Sequence, residues 1–234
     1  MKDITSWSFS RLKDFEACPL KAYVKYVEKR PDTMDKTAAD RGTMIHDACE
    51  KFVRGEGEFI AEMHRFRDYF AELKPKYEAG DVELEENWGF TLDWEITGWW
   101  DDDIWCRMKL DNFTVDERDE RGHVIVATPT DYKSGKKYGN EVTHSQQGQL
   151  YALGSFLRYP TLEVANVELI YLDQGQTTKR TYTREKIMCF FKHWNDRGKR
   201  MTEAEDFPPK PNKITCMWCP FGPQHGDKSC EWGV

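Results

Sequence analysis

Apolar positions along this chain change their spacing several times, and each change predicts a different element. In residues 6–30, SWSFSRLKDFEACPLKAYVKYVEKR, the apolar positions Leu12, Phe15, Tyr23, Tyr26 and Val27 predict two short helices meeting near Cys18-Pro19, with Ser8 or Ser10 as N-cap. Lys21, Lys25 and Lys29 recur at every fourth position and form one basic stripe, either a solvated face or a phosphate contact. Residues 43–54 predict a helix with Ile45, Ala48, Cys49 and Phe52 as its apolar stripe and His46 and Glu50 on its flank; a further helical segment covers 58–78. Strand signals dominate from 82 to 133, in VELEENWGFTLDWEITGWW, DIWCRMKLDNFTVDE and GHVIVATPTDYK, and the turn ERDERG makes the last two a hairpin. Helical spacing returns over 142–158, an apolar strand follows over 164–173, and an amphipathic helix over 183–202. From Phe207 the chain is rich in Pro, Gly and Cys. This order predicts an α/β or α+β layer in which helices flank a mixed central β-sheet.

Composition narrows the functional classes. A chain of 234 residues suits one domain with additions, and 39% hydrophobic, 32% charged and 14% aromatic residues describe a globular protein rather than a disordered one. No run approaches the ~18 uninterrupted apolar residues of a membrane span, and MKDITSWSFS lacks the layout of a signal peptide, so a cytoplasmic location in a bacterial, archaeal or phage-infected cell is expected. The net charge of −7 argues against a protein whose whole surface coats nucleic acid, although an acidic body can carry a local basic track. Seven cysteines in a reducing compartment fit metal ligation better than disulfides.

Candidate chemistry gathers on the strands. In WCRMKLDNF, alternation puts Cys106, Met108 and Leu110 on one face and Arg107, Lys109 and Asp111 on the other; in TPTDYKSGKK, Asp131 and Lys133 share a side, with Pro129 interrupting regular pairing just before them. Folding the hairpin at its turn sets Asp131 nearly opposite Met108, a stagger of roughly 10 Å from Asp111 at about 3.3 Å per residue, so a bend or splay is needed to bring both carboxylates to one divalent cation. Glu83, Glu85, Glu86 and Glu95 offer a further carboxylate, and the sequence does not choose among them. SGKK lacks the glycine and lysine frame of a nucleotide-binding loop, which excludes that class of enzyme. Cys216 and Cys219 form C-x-x-C, with Cys230 ten residues on, a pattern open to zinc, an iron-sulfur cluster or a redox dithiol. Cys49, Cys106 and Cys189 are expected to be small core residues.

GTMIH at 42–46, KLD at 109–111, DYKSGK at 131–136 and QGQLY at 147–151 together resemble, in order and approximate spacing, the successive motifs of RecB-family PD-(D/E)XK nucleases. The resemblance implies a restriction-endonuclease-like core over 41–205. His46, Asp111 and Asp131 would be metal ligands, with the carbonyl of Tyr132 completing the sphere, Lys133 the catalytic lysine, and Gln147 and Tyr151 bordering the active site and the DNA. Packing roles for His46, Gln147 and Tyr151 stay open from the residues alone. A subset of these nucleases, including AddB and the CRISPR-associated exonucleases, combines one N-terminal cysteine with three C-terminal ones. That similarity implies a 4Fe-4S cluster on Cys18, Cys216, Cys219 and Cys230, joining an N-terminal segment (1–40) to a C-terminal one (206–234). The ten-residue gap before Cys230 departs from the subset's shorter spacing and, with His225 inside it, keeps zinc as the alternative.

The implied activity is Mg- or Mn-dependent hydrolysis of DNA from an end, on single strands with 5′ to 3′ polarity, in recombination, repair, replication or CRISPR adaptation. Trp7, Trp88, Trp99 or Trp100 are candidates to stack on bases, with core packing as the ordinary role of most tryptophans. The alternatives are a non-catalytic DNA-binding module of the same fold and a zinc-stabilised endonuclease.

Overall fold

The structure is a computed structural model that describes residues 4–234. The chain runs β1 (Trp7–Ser8), α1 (Phe9–Ala17), α2 (Pro19–Tyr26), α3 (Thr37–Arg54), α4 (Arg67–Glu78), β2 (Val82–Phe90), β3 (Ile96–Thr97), β4 (Cys106–Arg118), β5 (Val124–Lys133), α5 (Glu141–Arg158), β6 (Val164–Tyr171), β7 (Gln176–Thr183), α6 (Arg184–Met188), α7 (Phe191–Thr202) and α8 (Lys213–Met217). Local chemistry explains several boundaries. The Ser8 hydroxyl accepts from the Arg11 N–H to cap α1, Pro19 opens α2, and Gly55, at φ 79°, ends α3 in the left-handed conformation.

The sheet has the order β3-β2-β4-β5-β6-β7, and β5 and β6 are parallel while the other neighbours along this order are antiparallel. The central sheet is therefore mixed, as the α/β reading expects. One face carries a core cluster in which Leu150, Tyr151, Leu153 and Phe156 of α5 meet Phe9, Leu12 and Trp194. The other face carries a second cluster, with Ile45, Cys49 and Val53 of α3 and Phe70 and Leu73 of α4. Burying apolar side chains on both faces supplies the main stabilisation of such a layer.

Two expectations need correction, and one strand falls in a segment left unassigned. The segment 176–183, QTTKRTYT, forms edge strand β7, which escapes a hydrophobic reading because its side chains are mostly exposed and polar. The helix expected over 183–202 is two helices, α6 and α7, separated at Cys189–Phe190; Cys189 is exposed rather than in the core. The helical segment expected over 58–78 starts as a 3-10 turn at Ala61–Phe66, before α4.

The register around Asp111 positions everything that follows. β4 pairs with β5 through Val115↔Ala127 and Asn112↔Thr130, so Asp131 comes beside Asp111 rather than opposite Met108. The expected stagger fails because the turn is centred later: the Asp119 carboxylate accepts from the N–H groups of Arg121 and His123 and closes a loop over Asp119–His123. The ladder to β5 ends at Asn112↔Thr130, and β1 pairs instead with the other end of β4, through Trp7↔Cys106 and Ser8↔Arg107. The sheet thus forks at Asp111, with β5 on one side of the gap and β1, leading into α1, on the other. Pro129, lacking an N–H, lies where the pairing of β5 with β6 is interrupted between Ala127↔Ala165 and Thr130↔Glu168, while its pairing to Phe113 of β4 persists.

On the opposite side of β4, the ladder with β2 runs from Leu84↔Asn112 to Glu86↔Leu110, skipping the pair between Glu85 and Asp111. Glu85 sits there at φ 52°. Val82 and Leu84 pack into one core cluster, whereas Trp88 and Phe90, of the same parity, pack into the other. The strand has turned over at Glu85, which a left-handed residue accomplishes and a regular strand does not.

Candidate active site

Asp111 and Asp131 are both buried at the fork, with 7% and 6% of their surfaces exposed. Asp111 Oδ1 lies 2.6 Å from Nδ1 of His46, delivered from α3, and its Oδ2 accepts the N–H of Tyr132, which the divergence of β5 has freed from the ladder. A strand residue points its N–H and its carbonyl to the same edge, so the Tyr132 carbonyl also faces the fork. The Tyr132 phenol is elsewhere, buried in the α3/α4 cluster and accepting from Nδ2 of Asn112 at 2.9 Å.

Lys133 Nζ lies 2.6 Å from Asp131 Oδ2 and donates to Gln147 Oε1 at 2.7 Å. The Gln147 amide donates to Asp131 Oδ1 at 3.1 Å and to the Tyr151 hydroxyl at 2.7 Å; that hydroxyl lies 2.7 Å from the carbonyl of Lys109. Gln147 and Tyr151, one helical turn apart on α5, therefore reach the same groove, as their spacing predicts. Asp131 Oδ2 is buried, and its partner within the chain is the Lys133 ammonium.

One carboxylate is resolved that the sequence left open. Ligand atoms of His46, Glu85 and Asp111 all lie within 4.8 Å of one another, the one such group of three metal-ligating side chains among the described residues. Glu85 is selected by its place across from Asp111 and by the turned-over backbone there, while Glu83 pairs with the Tyr159 hydroxyl and Glu86 with the Trp88 indole. No local sequence signal marks it; only the strand register does. Glu85 is also 2.5 Å from Lys109 Nζ. His46, Glu85 and Asp111, an imidazole and two carboxylates, form a donor set that fits a hard divalent cation, while Asp131, engaged by Lys133, lies outside that group of three.

Burial pushes the Asp111 carboxyl above the usual carboxylate range, aided by the charge of Asp131 and opposed by His46 and the Tyr132 N–H. Burial opposes protonation of His46, but the hydrogen bond and charge of Asp111 outweigh it and raise the imidazole pKa. At 2.6 Å the protonation of either group depends on the other.

His46, Asp111, Asp131, Lys133, Gln147 and Tyr151 line a groove of about 800 Å³ whose far wall is built by β1 and α1, with Arg11, Lys13, Trp99, Arg107 and His144 also lining it. Of the four tryptophans considered for base stacking, Trp88 is fully buried in the core, Trp7 is fully buried behind the groove wall, Trp100 is 86% exposed, and Trp99 lines the groove half-buried, beneath the Arg107 guanidinium at 5.7 Å. The basic stripe of α2 divides: Lys21 and Lys25 both pair with Asp14, at 2.7 and 3.0 Å, and Lys29 lies beyond the helix end.

Cys18, Cys216, Cys219 and Cys230 come from both ends of the chain to line a separate cavity of about 290 Å³, with Val24 and Phe221 packed at its base. No three of their sulfurs lie within 4.8 Å of one another. A single tetrahedral zinc, with Zn–S bonds of about 2.3 Å, would hold thiolates roughly 3.8 Å apart. His225 is stacked on Trp218 at 4.6 Å and does not line the cavity. Cys49 and Cys106 are buried thiols whose pKa burial raises, which keeps them unreactive.

No curated protein matches the chain. Among solved structures it is similar to that of SSO0001, at 12% identity and a TM-score of 0.45 over 100% of this chain and 90% of the other. It is also similar to a candidate exonuclease from Eubacterium rectale, at 12% identity and a TM-score of 0.49 over 92% and 86%. Neither likeness is strong enough to carry the assignment. The family profile described as the PD-(D/E)XK nuclease superfamily matches residues 6–129 and 109–224, which together span nearly the whole chain and include every residue of the fork. No helix among the described residues is long and apolar enough to cross a membrane. With its paired strand carboxylates, strand lysine and helix histidine converging at one groove, this chain belongs to the PD-(D/E)XK nuclease superfamily.

Proposed function

We propose that this chain is a magnesium- or manganese-dependent exonuclease that shortens single-stranded DNA from an end, with 5′ to 3′ polarity, in DNA recombination, repair, replication or CRISPR adaptation. The observation that carries the reading is the convergence of His46, Glu85 and Asp111 within 4.8 Å, with His46 and Asp111 lining one groove together with Asp131 and Lys133. His46, Asp111, Asp131 and the Tyr132 carbonyl would hold the cation, and Glu85 joins them. The cation would supply charge neutralisation at the scissile phosphate and a more acidic water. Lys133 orients the attacking water and balances the negative charge that grows on the phosphate. Gln147 holds the Lys133 ammonium in place, and Tyr151 anchors Gln147 to the β4 backbone. A groove with the half-buried Trp99 on its wall suits a strand whose bases can stack.

Purified protein with Mg or Mn should shorten end-labelled linear DNA and leave circular single-stranded DNA intact. Asp131→Ala should abolish cleavage and retain binding; cleavage by this variant at the wild-type rate defeats the mechanism. Cutting of the circle would convert the reading to an endonuclease.

For the cysteine cavity the proposal is a 4Fe-4S cluster held by Cys18, Cys216, Cys219 and Cys230, tying segment 1–40 to segment 206–234 beside the nuclease core at 41–205. Four thiolates spaced wider than one zinc ion allows support a cluster over zinc. Iron and zinc content with the visible spectrum of anaerobically purified protein decides it: a colourless, zinc-loaded sample overturns the cluster and leaves the nuclease site untouched.

A further inference from the structure

The groove is electrically divided. On one flank of Asp131 lie the metal-ligating groups His46, Glu85 and Asp111. Toward the other flank lie Lys133, Lys13 from α1, and Thr143 and His144 from the first turn of α5, all lining the same groove. The charges of Lys133 and Lys13 both reach His144, and that of Lys133 reaches Lys13. Like charges gathered in this way repel one another unless an anion sits among them.

Of these two lysines one is paired within the chain and the other, Lys13, is not, among the described residues. Lys133 is engaged with Asp131. Asp14 is the carboxylate whose field reaches Lys13, and it is already taken up by Lys21, Lys25 and the Tyr26 hydroxyl. Lys13 itself is exposed to the water of the groove and forms no ion pair among the described residues. Burial and the Lys133 charge lower the His144 pKa to about 4, so its ring is neutral at pH 7. Its Nδ1 lies 3.0 Å from the Tyr171 hydroxyl. With Nδ1 accepting from that hydroxyl, Nε2–H is the ring's remaining donor. Arg11 and Arg107, by contrast, are both occupied, sharing the Ser6 hydroxyl and each stacked over an aromatic ring.

We propose that Lys13, Thr143 and His144 form an anion subsite that holds a second phosphate of the bound strand, adjacent to the one at the metal-ligating residues. The inference rests on the nuclease reading for the identity of the strand. An ammonium, a hydroxyl and a neutral imidazole N–H match the acceptor oxygens of a phosphate; the carboxylates whose fields reach them include Asp14 and Asp131, which are already paired with Lys21, Lys25 and Lys133, and Glu141. Because Lys13 belongs to α1, the segment preceding the nuclease motifs contributes directly to substrate binding.

The test is binding of a short fluorescent single-stranded oligonucleotide in EDTA, across a salt series, to the full chain. Lys13→Ala should weaken binding by about tenfold and reduce the magnitude of the salt slope by roughly 0.7, the release expected for one phosphate contact on a single strand. Lys13→Arg should restore both, and Thr143→Val with His144→Asn should weaken binding at nearly unchanged slope, since neither residue is charged. Loss confined to 5′-phosphorylated oligonucleotides identifies the terminal phosphate as the one held, and equal loss without it identifies an internal phosphodiester; both support the subsite. Wild-type affinity and slope in Lys13→Ala, or weakened binding with an unchanged slope, overturns it. Metal-dependent shortening of end-labelled DNA by the wild type is measured in parallel. Shortening with no effect of Lys13 sinks the subsite alone, and a Lys13-dependent slope without shortening sinks the nuclease reading alone.

Discussion

His46 Nδ1 lies 2.6 Å from Asp111 Oδ1, a short contact between a helix and a strand separated by 65 positions in sequence. The contact favours a proton on the pair, which a divalent ion bound to either group would have to displace.

A pH dependence follows from the signs. Both groups have pKa values raised in the folded state, so both favour the fold while protonated, and that stability is lost as the pH rises through their folded values. Stability without metal should therefore fall as the pH increases from about 4 toward and past neutrality. A divalent ion prefers the deprotonated ligands, so the rise in Tm caused by Mn should grow over the same interval. Thermal melts at several pH values with Mn and with EDTA check this, and Asp111→Asn should flatten both trends.

Loss of Lys133 should separate chemistry from binding. Lys133→Met removes the ammonium beside Asp131 and should lower kcat by about a hundredfold or more, the scale of one lost charge-stabilising donor, with DNA affinity little changed. Gln147→Ala, which only frees that ammonium, should cost less than Lys133→Met. Single-turnover rates on end-labelled DNA rank the two.

Glu85 sits in a backbone conformation that costs stability, within the group of side chains that could hold a metal ion. A glutamate at φ 52° costs roughly 1–2 kcal/mol that glycine does not incur, and its ion pair with the exposed Lys109 returns little. Glu85→Gly should raise the stability of the metal-free protein by about 1 kcal/mol while weakening Mn binding by about tenfold or more. Denaturant titration in EDTA with calorimetric Mn titration measures both; a variant that keeps full Mn affinity removes Glu85 from the ligand set.

Gly198 of α7 fixes the wall of the groove. A Cβ there would stand 2.5 Å from Nε1 of Trp7 and 2.6 Å from a ring carbon of Trp105, both buried. Gly198→Ala should therefore destabilise the protein by about 1–3 kcal/mol despite the better helix propensity of alanine. Since Trp7 belongs to β1, the damage should appear as weaker DNA binding before global unfolding, read by anisotropy and circular dichroism on the same sample.

Much of this arrangement was written locally. The alternation around Asp111, the two-residue spacing of Asp131 and Lys133, the single turn between Gln147 and Tyr151 and the helix carrying His46 each depend on backbone period alone, and the period is a property of adjacent residues. The ligand types of the candidate site were legible for the same reason. Tertiary structure decided what depends on partners distant in the chain. The loop closed by Asp119 set the register that brings Asp131 beside Asp111, and the turned-over backbone at Glu85 chose one glutamate from four. The polar strand β7 exists because β6 supplies its hydrogen bonds, and β1 enters the sheet where β5 leaves it, placing Lys13 and Trp99 on the groove. Register and strand order are settled by the competition among long-range pairings, whose energies no short window of residues contains.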